Sequence, residues 1–150
     1  MIAEMDRNEI IDLLHNYSYT YDSKNIQAFA DLFTDKFSWQ YYVGIKDRTI
    51  KILHMENKGE FIEFLEERLG ELTEEGILSR HFMTNTVLTE RTKGIISAKT
   101  MVLIIWRSKH KEEPWIEDTG IYEDEFVKTD QGWRFAIRKL TSDNRVRWMI

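Results

Sequence analysis

Two residues in this chain have the types and setting needed to move a proton. His81 lies in Ser79-Arg80-His81-Phe82-Met83-Thr84-Asn85, where the alternation reads as a strand and sets an imidazole on an otherwise apolar or neutral face. On that alternation His81, Met83, Asn85 and Val87 share one side, and Phe82, Thr84, Thr86 and Leu88 the other. Asp22 closes Tyr17-Ser18-Tyr19-Thr20-Tyr21-Asp22, where two helical patterns meet. A buried imidazole needs a hydrogen-bond partner, and a carboxylate is the partner that fixes its orientation for general-base work. A second reading of the residues is open: Asp22 caps the following helix, and His81 is a satisfied core histidine.

The elements that position this pair follow from the hydrophobic periods. Ile10, Ile11, Leu13, Leu14, Tyr17 and Tyr21 recur at helical spacing over residues 8–21. A second short helix carries Ile26, Phe29, Ala30 and Phe33, with Asp22 or Ser23 as its expected N-cap. Residues 37–43 read as an aromatic strand with Trp39, Tyr41 and Val43 on one side, and residues 49–53 as a short returning strand. A third helix is expected over 59–72. The period then falls to two, with strands over 80–90, 95–109 and 115–129, a hairpin turn at Thr129-Asp130-Gln131-Gly132, and a last strand over 133–141. Helices first and strands afterwards predict one α+β domain spanning 1–150, with three helices packed on one face of a curved, mostly antiparallel sheet.

Composition narrows the partners. The chain has 150 residues, 42% of them hydrophobic, enough for a single core that buries roughly 70% of the unfolded surface. Its net charge of -5, with interspersed signs and no basic stripe, argues against a nucleic-acid partner. The absence of cysteine excludes disulfides and thiolate metal sites. His15 and His54 lack a ligand set of useful spacing, and Glu112-Glu113-x3-Glu117-Asp118 reads as a charged loop, so no metal is expected. No phosphate-cradling glycine loop or nucleophile elbow is present, and no cofactor is expected. The first residues do not read as a basic, then apolar, leader, and no run of about twenty apolar residues occurs, so a cytoplasmic protein with no membrane contact is expected.

Aromatic residues supply the remaining candidates. At most two of Tyr17, Tyr19 and Tyr21 can share the pocket side of a helix. Trp39, Tyr41, Trp106 and Trp115 suit either an apolar ligand site or ordinary core packing. Arg138, if buried, needs its charge paired.

The order of elements, Tyr17-x4-Asp22, His81-Phe82-Met83-Thr84-Asn85, Gly120-Ile121-Tyr122-Glu123-Asp124 and Gly132-Trp133-Arg134-Phe135 together resemble SnoaL-like proteins of the nuclear-transport-factor-like superfamily, over residues 9–140. The resemblance is nearest the branch of scytalone dehydratase, the bile-acid dehydratase and hexachlorocyclohexane dehydrochlorinase. It implies a cone-like fold with the helices on the concave face of the sheet, and an Asp–His base at Asp22 and His81. It further implies a phenol at Tyr17 that assists the leaving group, Arg138 as a holder of that group, and Tyr122 as an aromatic pocket wall. The second pocket histidine of scytalone dehydratase has no counterpart, because His110 falls in a charged loop.

The expected protein is a cofactor-independent lyase, of dehydratase or dehydrohalogenase type, acting on a small cyclic apolar molecule. Asn85, Tyr122, Trp39, Tyr41 and Met83 are its expected substrate-binding residues. The same pair could drive an isomerisation, and the fold also serves noncatalytic binding proteins and assembly subunits such as those of ring-hydroxylating dioxygenases. A homo-oligomer, dimer or trimer, is expected. The apolar end Trp148-Met149-Ile150 is expected to close the pocket or meet another subunit.

Overall fold

The structure, a computed structural model, describes residues 1–45 and 48–145; the expectation for Trp148-Met149-Ile150 lies outside them. Helix α1 (Glu4–Asp22) buries Ile10, Leu13, Leu14 and Tyr17, a stripe at three- and four-residue spacing, and carries Glu4 and Asp6 in its first turn, where they complement the positive end of the helix dipole. That end is pinned to the last hairpin of the sheet. The Trp133 amide donates to Glu9 Oε1 (2.9 Å), and Lys128 Nζ and the Trp133 indole both donate to Asp6 Oδ1 (2.6 and 2.9 Å).

The other end of α1 stops sharply after Asp22. Lys24 takes a left-handed conformation (φ 60°), its N–H donates to the Tyr21 carbonyl, and the Asn25 N–H donates to the Thr20 carbonyl, both at 2.9 Å. These two bonds form a Schellman closure, with Lys24 in the place usually held by glycine. Helix α2 (Ile26–Ala30) follows at once, and its N-cap is Asn25, whose side chain accepts from the Ala28 N–H at 3.2 Å. The expected cap at Asp22 or Ser23 is therefore corrected: the closure of α1 places the N-cap of α2 three residues beyond Asp22. Phe33, expected at the end of this helix, instead opens strand β1 (Phe33–Ile45).

Strand β2 (Arg48–Met55) returns alongside β1, and helix α3 (Lys58–Glu74), capped by Asn57, buries Phe61, Leu65, Leu69 and Leu72. Four strands then follow: β3 (Ile77–Thr92), β4 (Ile95–Ser108), β5 (Trp115–Thr129) and β6 (Gly132–Arg145). One six-stranded sheet results, in the order β2-β1-β6-β5-β4-β3. Only β1 and β6 pair in parallel, and every other neighbour is antiparallel. The three helices lie against this curved, mostly antiparallel sheet, as the α+β reading of the sequence expects. Among the described residues, no helix is long and apolar enough to cross a membrane.

The core joins helices and sheet through aromatic rings. Phe29, Phe33, Phe37, Phe61 and Phe135 pack around Tyr17 with centroid separations of 4.8 to 6.4 Å across the pairs in contact. Such tilted and edge contacts add about 0.5–1.5 kcal/mol per pair beyond the area buried.

Two local features aim the sheet's inner face. Thr84 pairs with Met101 and Val87 with Lys99, so β3 holds one residue more than β4 across this step, and Asn85 is left-handed (φ 55°). This bulge reverses the alternation. Ser79, His81 and Met83 turn inward before it, Thr86 and Leu88 after it, while Asn85 and Val87 face solvent. On β5, Gly120 stands opposite Ser142, and a Cβ there would collide with the Thr141 carbonyl. The two strands approach closely between the inward residues Asp118 and Tyr122.

Candidate active site

Asp22 is the last residue of α1, at the negative end of the helix dipole and with no basic residue in the last turn. A carboxylate is poorly placed there by helix electrostatics alone, and β3 supplies what the helix does not. The His81 ring sits with Nδ1 2.7 Å from Asp22 Oδ1, the His81 backbone N–H donates to Asp22 Oδ2 (2.9 Å), and the Ser79 hydroxyl donates to Oδ1 (3.0 Å). Both side chains are buried, His81 to 7% exposure and Asp22 to 10%. An ionised carboxylate only accepts, so this contact places the ring proton on Nδ1 and leaves Nε2 as the basic nitrogen.

His81 lines a cavity of about 310 Å³ between the helices and the concave side of the sheet. Such a volume lies at the small end of the range for ligand pockets. Tyr17, Trp39, Tyr41 and Tyr122 line it too, as the sequence predicts, together with Trp106 and Phe61. The Trp39 indole donates to the Tyr17 hydroxyl (3.3 Å), which leaves that phenol its own proton to give. Of the three alternating tyrosines, Tyr17 and Tyr21, one turn apart, reach the cavity, and Tyr19 is 75% exposed. The Tyr21 ring stands 5.0 Å from the imidazole, and burial raises its phenol well above the usual range, so it stays protonated.

Three expected residues stand elsewhere. Asn85 is exposed at the bulge, where its side chain accepts from Thr84 Oγ1, because the extra residue turns it off the inner face. Arg138 is fully buried but does not line the cavity: its guanidinium lies behind the pocket rings, 3.9 Å from the Tyr17 centroid and 3.5 Å from that of Tyr122. Met83 also lies outside the cavity lining and accepts from Arg138 Nη2 at 3.4 Å.

Several participants were not singled out from the sequence. Asp124 faces Arg138 at 3.6 Å, with both side chains fully buried, and burial raises its carboxyl to about 7 despite the opposing cation. Asp118, read within a charged loop, is instead an inward residue of β5 at the cavity wall, bonded to Tyr41 and Ser142. The two-residue spacing Asp118, Gly120, Tyr122, Asp124 is the signal that joins them, since strand alternation puts all four on the face of Tyr122.

The sequence of residues 5–139 matches the model of the SnoaL-like domain. The chain belongs to this family. No curated protein matches the sequence at a significant level. Solved structures that resemble this SnoaL-like chain include the beta subunit of a protein assigned as an aromatic-ring-hydroxylating dioxygenase from Novosphingobium aromaticivorans, with TM-score 0.78 and 20% identity over 96% of this chain and 93% of that one. A protein of the same organism assigned as a scytalone dehydratase gives 0.76 and 21%, over 95% and 90%. ActVI-ORFA from Streptomyces coelicolor gives 0.74 and 17%, over 91% and 97%. At these identities the likeness establishes the shared fold.

Proposed function

We propose that this SnoaL-like protein is a cofactor-independent lyase acting on a small cyclic apolar molecule, with Asp22 and His81 as its general base. The observation that carries this reading is the imidazole whose Nδ1 is tied to Asp22 while the ring lines a largely aromatic cavity. In the reaction, His81 Nε2 removes a proton from a carbon beside an activating group. The electron pair forms the new double bond as the leaving group departs from the neighbouring carbon. Asp22 stabilises the imidazolium, and Tyr17 donates its proton to a departing oxygen, which leaves as water. Return of the His81 proton to Tyr17 through solvent resets the site. Arg138, behind the rings of Tyr17 and Tyr122, holds those phenols in place and does not contact the leaving group.

The test is turnover of cyclic β-hydroxy and β-halo carbonyl compounds, with released water or halide marking elimination and conserved mass marking isomerisation. His81→Ala should lower the rate about a hundredfold or more, in line with the usual worth of general-base catalysis. An unchanged rate in that variant removes the mechanism.

A noncatalytic assembly subunit is the second reading, supported by the likeness to a dioxygenase beta subunit and by the outer sheet face. Phe82, Met101 and Ile121, on the three neighbouring strands β3, β4 and β5, are 52%, 50% and 42% exposed there. A homo-oligomer, dimer or trimer, through this face is part of both readings. A stable complex with a second protein and no turnover of any carbon acid would favour the subunit.

A further inference from the structure

The cavity has a second polar wall that the base does not use. Asp118 and His81 both line it, yet they belong to different strands and share no hydrogen bond. Asp118 is 7% exposed, its Oδ1 accepts from the Ser142 hydroxyl (2.6 Å), and its Oδ2 accepts from the Tyr41 hydroxyl (3.0 Å). The close approach of β5 and β6 at Gly120 brings Ser142 to it. Each oxygen of a carboxylate can accept twice, so the Ser142 and Tyr41 hydroxyls, with the Thr119 backbone N–H, still leave acceptor capacity on a rigidly held group. Among the described residues, Asp118 has no ion pair with a basic side chain. Burial accordingly raises its carboxyl, with Ser142 and Tyr41 opposing. The rest of the cavity wall is mainly aromatic or apolar, Trp39, Phe64, Leu53, Ile104 and Trp106 among it, with Arg68, Glu117 and Asn144 as its further polar members.

We infer that Asp118, positioned by Tyr41 and Ser142, is a specificity-determining acceptor that binds a hydroxyl of the substrate remote from the carbon that His81 deprotonates. This rests on the reading of the cavity as the substrate site, and it names the substrate class more closely: a flat, mainly apolar ring molecule with a carbon acid at one end and a hydroxyl at the other. A buried acceptor of this kind discriminates, because an analogue lacking the donor leaves the carboxylate's remaining lone pairs dry and unmatched.

The probe is 2-naphthol against 2-methoxynaphthalene, which differ only in the hydrogen-bond donor, with binding followed by NMR shifts of the Trp39 and Trp106 indole N–H groups. The unsubstituted protein should bind the naphthol at least tenfold more tightly. Asp118→Leu should reduce the preference below twofold, and His81→Ala should leave it intact. Should Asp118→Leu not fold, Asp118→Asn, which keeps an acceptor for Tyr41 or Ser142, gives the same readout with an expected preference below threefold. Equal affinities in the unsubstituted protein overturn the proposal, as does a preference lost in His81→Ala but kept in the Asp118 variants. Tighter binding of 2-naphthylmethylammonium than of 2-naphthol would assign the wall to a cation and overturn the hydroxyl. Loss of turnover without loss of preference, or the reverse, separates failure of this inference from failure of the proposed base.

Discussion

Among the described residues, two buried pairs join an aspartate to a nitrogen-bearing side chain, and they are built in opposite ways. Asp22 receives three hydrogen bonds, from the His81 ring, the His81 backbone and Ser79, and its partner lines a cavity. Asp124 stands 3.6 Å from Arg138, and no hydrogen bond reaches either of its oxygens among the described residues. Arg138 is held chiefly by rings, those of Tyr17, Tyr122 and Phe135. The contrast teaches that burial and charge alone do not mark a reactive pair. What distinguishes Asp22 is three donors on one carboxylate and a partner ring that lines a cavity.

Removing the nitrogen-bearing partner from each pair should sharpen this difference most. Arg138→Met removes the one cation that opposes burial, so Asp124 must take up a proton or stay charged and unpaired, and the variant should cost about 3–5 kcal/mol in chemical denaturation at pH 8, whereas Arg138→Met combined with Asp124→Leu should recover most of that loss. His81→Ala leaves Asp22 with Ser79 and a backbone donor, and should cost only about 1–2 kcal/mol while abolishing most turnover. Equal losses from the two single variants would erase the distinction.

The pairs should also differ in their response to pH. With its folded pKa raised to about 7 from an ordinary 3.8, Asp124 holds a proton in the folded protein that the unfolded chain releases between these values. Its contribution to stability is full below about pH 4 and is lost as pH rises through 7, at up to about 1.4 kcal/mol per pH unit. Asp124→Asn should flatten that part of the profile. A slope unchanged by the substitution would show that Asp124 is already ionised across the range.

The smallest effect is expected at the bulge. Asn85 tolerates its left-handed backbone far better than a β-branched residue does, so Asn85→Val should destabilise by about 1 kcal/mol or more and leave turnover per folded molecule unchanged. A selective loss of affinity for substrate would return Asn85 to the pocket.

Much of this architecture is legible in the chain. The strand over 115–129 and the turn at Asp130-Gln131 follow from period and turn chemistry, and helix spacing brings Tyr17 and Tyr21 to one side. Asp22 and His81 could be paired because a polar ring on an apolar strand face needs a partner, and Asp22 stands where two helical patterns meet. The misplacement of Asn85 has a definite origin: alternation is a local rule, and a bulge is fixed by pairing with β4, which the sequence of β3 does not display. The ion pair of Arg138 needed the register of β5 on β6, which sets Asp124 opposite it. Asp118 was hidden by its acidic neighbours Glu112, Glu113 and Glu117, which make the start of a strand resemble a solvated loop.

The most direct measurement is the tautomer of His81, read from a long-range ¹H–¹⁵N correlation spectrum at a pH where the ring is neutral. A protonated Nδ1 with a bare Nε2, shifting to a mixture in Asp22→Ala, is the expected outcome and means that a base is presented to the cavity. A proton found on Nε2 in the unsubstituted protein would leave no base facing the substrate, and the proposed elimination chemistry would fall with it.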